Sequence, residues 1–164
     1  MSSRVIDNLR KVEIFAGLTD QDLVAVASIC KAARVPADRA IFKEGDDGDD
    51  LYVIHEGSVR VLLNTKTASG KVTTSTINML YPGQCFGELV LLNGITRTAT
   101  IVAAEPVTLI VIDDGDFRQL CESNPRIGYT VMRNLAQDLA YKLRSSNLLL
   151  RGDIRWQSGE LGRP

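Results

Sequence analysis

Between Ala33 and Asp113 the chain consists of short β-branched runs separated by glycine-bearing breaks, and this pattern constrains the fold more than any other feature. Tyr52 to His55, Val59 to Leu63, Thr73 to Ile77, Thr100 to Ala103 and Thr108 to Ile112 are rich in side chains that pack well on a pleated surface. Many short strands joined by close turns predict a sandwich or barrel. The polar stretch from Asn64 to Lys71 reads as a hairpin loop between two of them.

Helical signals flank this region. Val12 to Leu18 reads as a turn leading into an amphipathic helix capped by Thr19, with Asp22 completing a capping-box pattern. After Asp113 a short helix is expected over Asp116 to Ser123, and Asn124-Pro125 is a start signal for the next, with asparagine at the cap and proline in the first turn. Ile127, Val131, Leu135, Leu139 and Leu143 then recur every four residues beside Met132, Ala136 and Ala140, giving a wide apolar face. Part of that face is expected to pack on the β region, and its remaining width admits a homodimer through the 125–150 helix.

With 164 residues, 45% of them hydrophobic, the chain is long enough for one domain with its own core. The expected organisation is a domain over 1–150, with N-terminal helices in 1–32, the β region in 33–113, C-terminal helices in 114–150 and a tail over 151–164. There is no apolar run of about 18 residues to span a bilayer, and the first residues lack the apolar stretch of a signal peptide. A cytoplasmic protein without a membrane partner is therefore expected. Cys30, Cys85 and Cys121 are odd in number and far apart, which suits reduced thiols. Cys85 reads as a small core residue. The net charge of −1 lacks the basic excess of a DNA binder, and with few residues after Leu150 neither a helix-turn-helix unit nor a DNA partner is expected.

One break carries the chemistry. Phe86-Gly87-Glu88-Leu89-Val90-Leu91-Leu92-Asn93-Gly94-Ile95-Thr96-Arg97-Thr98-Ala99-Thr100-Ile101 sets a carboxylate and a guanidinium around a short apolar turn that opens after a glycine. Gly87 has no Cβ, so the backbone can turn sharply and approach a ligand, leaving the amides of Glu88 and Leu89 free to point outward. A helical turn over Leu89 to Asn93 would add orphan N–H groups that favour an anion. Arg97 supplies a permanent charge whose planar fork matches two phosphate oxygens, and the amides near Ala99 would complete the cradle. Glu88 repels phosphate and needs a donor, which a ribose hydroxyl supplies. Together these groups describe a nucleotide whose phosphate is folded back on its sugar.

Phe-Gly-Glu-Leu-x-Leu-Leu followed by Arg-Thr-Ala-Thr-Ile at this spacing resembles the phosphate-binding cassette of the cyclic-nucleotide-binding domain. That family includes catabolite activator proteins, regulatory subunits of cyclic-nucleotide-dependent kinases and cyclic-nucleotide-gated channels. Upstream, Ile41 to Val59 is similar to the family's strand, glycine turn, strand signature, and the likeness covers roughly residues 12 to 150. The family often has proline before the arginine, where this chain has Thr96. The resemblance implies a jelly-roll barrel, mainly β with flanking helices. It implies cAMP or cGMP as ligand, with Glu88 on the ribose 2′-hydroxyl and Arg97 on the cyclic phosphate. The contributing cassette residues would be Phe86, Gly87, Leu89, Val90, Thr98 and Ala99, and the base would be covered from the last helix or tail by Tyr141, Lys142, Arg144 or Trp156. Arg97-Thr98-Ala99 is similar to cassettes of cGMP-dependent kinases, where the hydroxyl at the Thr98 position meets the guanine amino group. The expected function is a stand-alone sensor that rearranges its C-terminal helices on binding and regulates a separate effector protein.

Rival classes fare less well. The cupin barrel also reads as many short strands, but its metal needs several imidazoles, and His55 is the only histidine. No Ser-His-Asp or Cys-His set can be built without that same residue, so neither an enzyme nor a metal or cofactor is expected. Glu44, Asp46, Asp47, Asp49 and Asp50 read as a solvated acidic turn, with glycines accounting for its shape. A jelly-roll scaffold that no longer binds ligand is the remaining alternative, and the intact Gly87, Glu88 and Arg97 speak against it.

Overall fold

Two four-stranded antiparallel sheets face each other in the computed structural model, which describes residues 3–93 and 96–157. One sheet runs in the order β1 (Cys30–Val35), β8 (Val107–Asp113), β3 (Asp50–Glu56), β6 (Cys85–Phe86). The other runs β2 (Ala40–Phe42), β7 (Thr100–Ala103), β4 (Val59–Lys66), β5 (Val72–Leu80). All pairings are antiparallel. The helices are α1 (Ser3–Leu9), α2 (Asp20–Ser28), α3 (Val90–Asn93), α4 (Asp114–Ser123) and α5 (Pro125–Gln157), with a 3-10 turn at Glu13–Phe15. This is the jelly-roll architecture, mainly β with flanking helices.

The period of two in β3 and β8 explains why the first sheet is buried on both faces. Leu51, Val53, Ile110 and Ile112 point to the helices and pack with Leu9, Phe15, Val26, Phe117 and Val131. Ile54, Val107 and Leu109 point the other way, against Val59, Ile101 and Ala103 of the second sheet. Each fully buried aliphatic side chain contributes about 1.5–3 kcal/mol, so both contacts anchor firmly. The chain passes repeatedly between the two sheets, and one of these crossings leaves β6 at Gly87 and enters β7 at Thr100.

Several boundaries differ from the sequence expectation. β1 begins at Cys30, so strand structure starts before residue 33. β2 and β6 are only three and two residues long, too short to display an alternation. The hairpin loop is narrower than Asn64 to Lys71, because pairing continues through Thr65↔Thr73 and Lys66↔Val72. Thr65 and Thr73 also share a 3.0 Å hydroxyl hydrogen bond across the strands, so polar residues extend the ladder there. α4 begins at Asp114, where the side chain of Asp113 accepts from the Asp116 amide. α5 continues to Gln157, past the expected end at 150. No proline interrupts it, and one interior glycine such as Gly152 costs only about 1 kcal/mol relative to alanine. Among the described residues no helix is long and apolar enough to cross a membrane.

The expected capping box at Thr19 is present, with the Thr19 hydroxyl accepting from the Asp22 amide and Asp22 accepting from the Thr19 amide. Asp22 is buried and also takes the Thr19 hydroxyl and the Arg126 guanidinium, tying α2 to the start of α5. Burial alone would raise the Asp22 carboxyl, but the Thr19 hydrogen bonds and the Arg126 charge overcome it and hold the group below its ordinary value of 3.8. A carboxyl lowered on folding stabilises the fold above its unfolded value and loses that contribution as pH falls through its folded value. Asp22→Asn is thus expected to cost about 1–3 kcal/mol near neutral pH. Thermal unfolding against pH should show the gap from wild type closing below pH 3.8, whereas a gap independent of pH would rule the charge out as the cause.

Candidate functional site

The crossing segment is steered by glycine at its entry. Gly87 follows β6 with a φ of 75°, in the left-handed region that only glycine adopts freely. The turn then tightens into α3, where the amides of Val90, Leu91 and Leu92 donate to the carbonyls of Gly87, Glu88 and Leu89. The amides of Glu88, Leu89, Thr98 and Ala99 donate to no backbone carbonyl among the described residues. Gly94 and Ile95 lie outside those residues.

Arg97 is only 6% exposed. Its backbone is clamped by the acidic turn: its amide donates to the Asp46 carbonyl at 2.9 Å, and its own carbonyl accepts from the Gly45 amide at 2.8 Å. Its guanidinium lies over the Phe42 ring at 4.2 Å, with Tyr52 at 5.7 Å. Tyr52 in turn stacks on Phe86 with centroids 5.1 Å apart, so an aromatic floor supports the cation. The space is held open by missing side chains, since a Cβ on Gly48 would fall 2.5 Å from Arg97 Nη2 and one on Gly87 2.6 Å from Nη1. Arg97 Nε is buried without a hydrogen-bond partner, and among the described residues the only hydrogen bond of the guanidinium is a long 3.5 Å one from Nη1 to the Gly87 carbonyl. Among the described residues no carboxylate comes within ion-pair distance of it.

A cavity of about 230 Å³ opens beside this group, and Phe86, Gly87, Glu88, Leu89, Val90, Arg97, Thr98 and Ala99 all line it. Its remaining wall comes from Phe42, Val61, Ile77, Asn78, Leu80, Cys85, Thr96 and Ile101, together with Lys142 of α5. Of the base-covering candidates, Lys142 therefore reaches the cavity. Tyr141 is 67% exposed and Arg144 donates to the Ala140 carbonyl of its own helix; neither lines the cavity. The side chain of Trp156 lies outside the described residues.

The donor facing Glu88 is the Lys142 ammonium, 3.3 Å from Oε1. Lys142 also pairs with Asp138 at 2.7 Å, one turn earlier on α5. Burial would lower this ammonium, but Asp138 and Glu88 outweigh it and raise it, so it remains a cation at neutral pH. The Tyr52 hydroxyl is raised by burial and by the Asp50 charge, with Arg97 pulling the other way. Burial and the Glu88 charge push the Cys85 thiol up to about 12, which leaves it protonated and unreactive. His55 is mostly covered and hydrogen-bonded to Asn8. Among the described residues no group of three or more histidines, cysteines and carboxylates is placed to hold a metal ion.

Sequence reasoning missed Phe42, Gly48 and the clamp from Asp46. The acidic turn stands out in the sequence for its charge, whereas its backbone carbonyl and amide are what position Arg97. The signal available was a second glycine, Gly48, within the acidic turn that already holds Gly45, since glycine permits close approach of another group.

The cyclic nucleotide-binding domain model matches residues 32–124, more than half of the chain. A cyclic nucleotide-gated potassium channel of Mesorhizobium japonicum is 34% identical over 71% of this chain and 30% of its own length. The catabolite activator protein of Thermus thermophilus superposes with a TM-score of 0.72 at 32% identity, covering 85% of this chain and 62% of that one. The regulatory domain of Toxoplasma gondii PKA, solved with cAMP, superposes with a TM-score of 0.62 at 25% identity, covering 72% and 43%. The chain thus spans less than two thirds of each of these relatives. The jelly roll, the glycine-opened crossing with its buried arginine, and these likenesses agree: the chain belongs to the cyclic nucleotide-binding domain family.

Proposed function

We propose that this chain senses a cyclic nucleotide, cAMP or cGMP, in the cavity beside Arg97 and relays binding to an effector protein through α5. The observation that carries the reading is the buried Arg97 guanidinium, which among the described residues has no carboxylate partner and an unbonded Nε. A buried charge costs several kcal/mol unless it is paired, and the Phe42 ring returns only about 2 kcal/mol at most. An anion bound between Arg97 and the free amides of Glu88, Leu89, Thr98 and Ala99 would supply the missing partner. Glu88 has acceptor capacity for a sugar hydroxyl on the same wall of the cavity. The apolar residues Val61, Ile77 and Leu80 offer a surface for the base.

On this reading the relay runs through α5. Its first half is held by the buried Ile127, Val131 and Leu135, while Leu143 and Leu148 are 63% and 67% exposed. That exposed stretch is the surface offered to an effector or to a second copy of the chain. Calorimetric titration with cAMP and cGMP in parallel tests the proposal. Saturable binding of either supports it, and no heat from either at about a hundredfold excess over a micromolar site overturns it.

Base preference is expected to follow Thr98, which is exposed and lines the cavity. A net hydrogen bond to a guanine amino group contributes about 0.5–1.5 kcal/mol. Thr98→Ala should thus weaken cGMP by about two- to twelvefold and cAMP by less than about twofold. Equal losses for both would show that the hydroxyl serves the shared phosphate.

A further inference from the structure

Glu88, the acceptor assigned to the sugar, already carries a cation. Lys142 holds it at 3.3 Å through Oε1, with Asp138 as a second partner at 2.7 Å. The first half of α5 has other anchors, because Ile127, Val131 and Leu135 are fully buried and Asn134 donates to the carbonyls of Ile14 and Ala16. Beyond Leu139 those anchors stop: Tyr141, Leu143 and Leu148 are exposed. Among the described residues the Lys142–Glu88 contact is the only hydrogen bond or ion pair that ties this half of α5 to another element.

The same pair stands in the wall between two cavities. The cavity of about 230 Å³ beside Arg97 adjoins a second of about 380 Å³, and Glu88 and Lys142 line both together with Asn78, Leu80 and Cys85. Small-molecule sites typically enclose about 300–1,000 Å³. The chamber holding Arg97 is short of that range, and the wall between the two is where room can be gained.

We propose that Lys142 is a ligand-released latch: it holds the distal half of α5 against the cassette through Glu88, and the sugar hydroxyl of an incoming nucleotide displaces it from that carboxylate. The latch rests on the nucleotide reading above. Asp138 lowers the cost of the exchange, because it keeps a partner on the ammonium when Glu88 turns to the ligand. No proton needs to move, since Lys142 stays charged in both arrangements. Ion pairs with a solvent-exposed partner shift an equilibrium by about two- to fivefold, enough to bias a two-state element and small enough for a ligand to reverse.

The test is calorimetric titration of wild type, Lys142→Met, Asp138→Asn and the double variant with cAMP and cGMP, alongside hydrogen exchange of α5 beyond Leu139. Lys142→Met is expected to bind about two- to fivefold tighter and to show, without ligand, the faster exchange that nucleotide induces in wild type. Asp138→Asn leaves Glu88 as the only remaining carboxylate partner of Lys142 and should bind more weakly. That loss should vanish in the double variant, a coupling that independent structural roles would not produce. If Lys142→Met does not fold, Lys142→Gln makes the same comparison. Nucleotide binding by wild type with equal or weaker binding by the Lys142 variant overturns the latch alone. No binding by wild type overturns the latch together with the nucleotide reading.

Discussion

Arg97→Ala is expected to fold like the wild type and to lose cyclic-nucleotide affinity by about thirtyfold to several thousandfold. Removing one partner of a desolvated charge pair costs about 2–5 kcal/mol, which sets that range. Folding should be little affected because the guanidinium brings few compensating bonds: Nε has no partner and Nη1 reaches only the Gly87 carbonyl at 3.5 Å. What stability is lost comes from the contact with the Phe42 ring, worth up to about 2 kcal/mol. Parallel titration and thermal unfolding separate the two effects. A folded Arg97→Ala protein that still binds as tightly as wild type would remove Arg97 from the site.

Gly87→Ala should be damaging twice. A Cβ there would sit 2.6 Å from Arg97 Nη1 and 3.0 Å from the Asp50 carbonyl oxygen, at a φ of +75°. The left-handed backbone alone costs an alanine about 1–2 kcal/mol, and displacing the guanidinium forfeits charged hydrogen bonds worth about 1.5–3 kcal/mol each. The expected result is a melting temperature lower by about 2–8 °C and binding weaker by about tenfold to a hundredfold. Gly70 is the matched control, since it has a φ of +79° and an added Cβ there would meet nothing within 4 Å. Gly70→Ala should lower the melting temperature similarly and leave binding alone; equal binding losses in both would trace the effect to general backbone strain.

The contrast between these two glycines shows how far the sequence could be read. Gly87 stands out because it precedes a carboxylate, an apolar turn and an arginine in one continuous segment, and the architecture follows from strands whose β-branched alternation is local. Tyr52 to His55, Val59 to Leu63 and Thr108 to Ile112 each carry their own pattern, and each lies within an observed strand. β2 and β6 carry none, because three or two residues cannot show a period; their pairing is imposed by β7 and β3. The limits of the hairpin loop and of α5 were likewise decided beyond the local pattern, by continued strand pairing and by uninterrupted helix.

By itself, then, the sequence determined a sandwich or barrel of short strands, which the family resemblance narrowed to the jelly roll, together with the capping box at Thr19 and the segment that holds Glu88 and Arg97, because each pattern depends on residues close together in the chain. Only the tertiary structure decided what those two side chains meet. Phe42 and Gly48 lie far upstream of Arg97, and Lys142 lies far downstream of Glu88, yet they form the floor, the clearance and the counter-charge of the same cavity. Packing sets such contacts, since the sheets must close on each other and on the helices before a distant ring, a missing Cβ or an ammonium can come within reach.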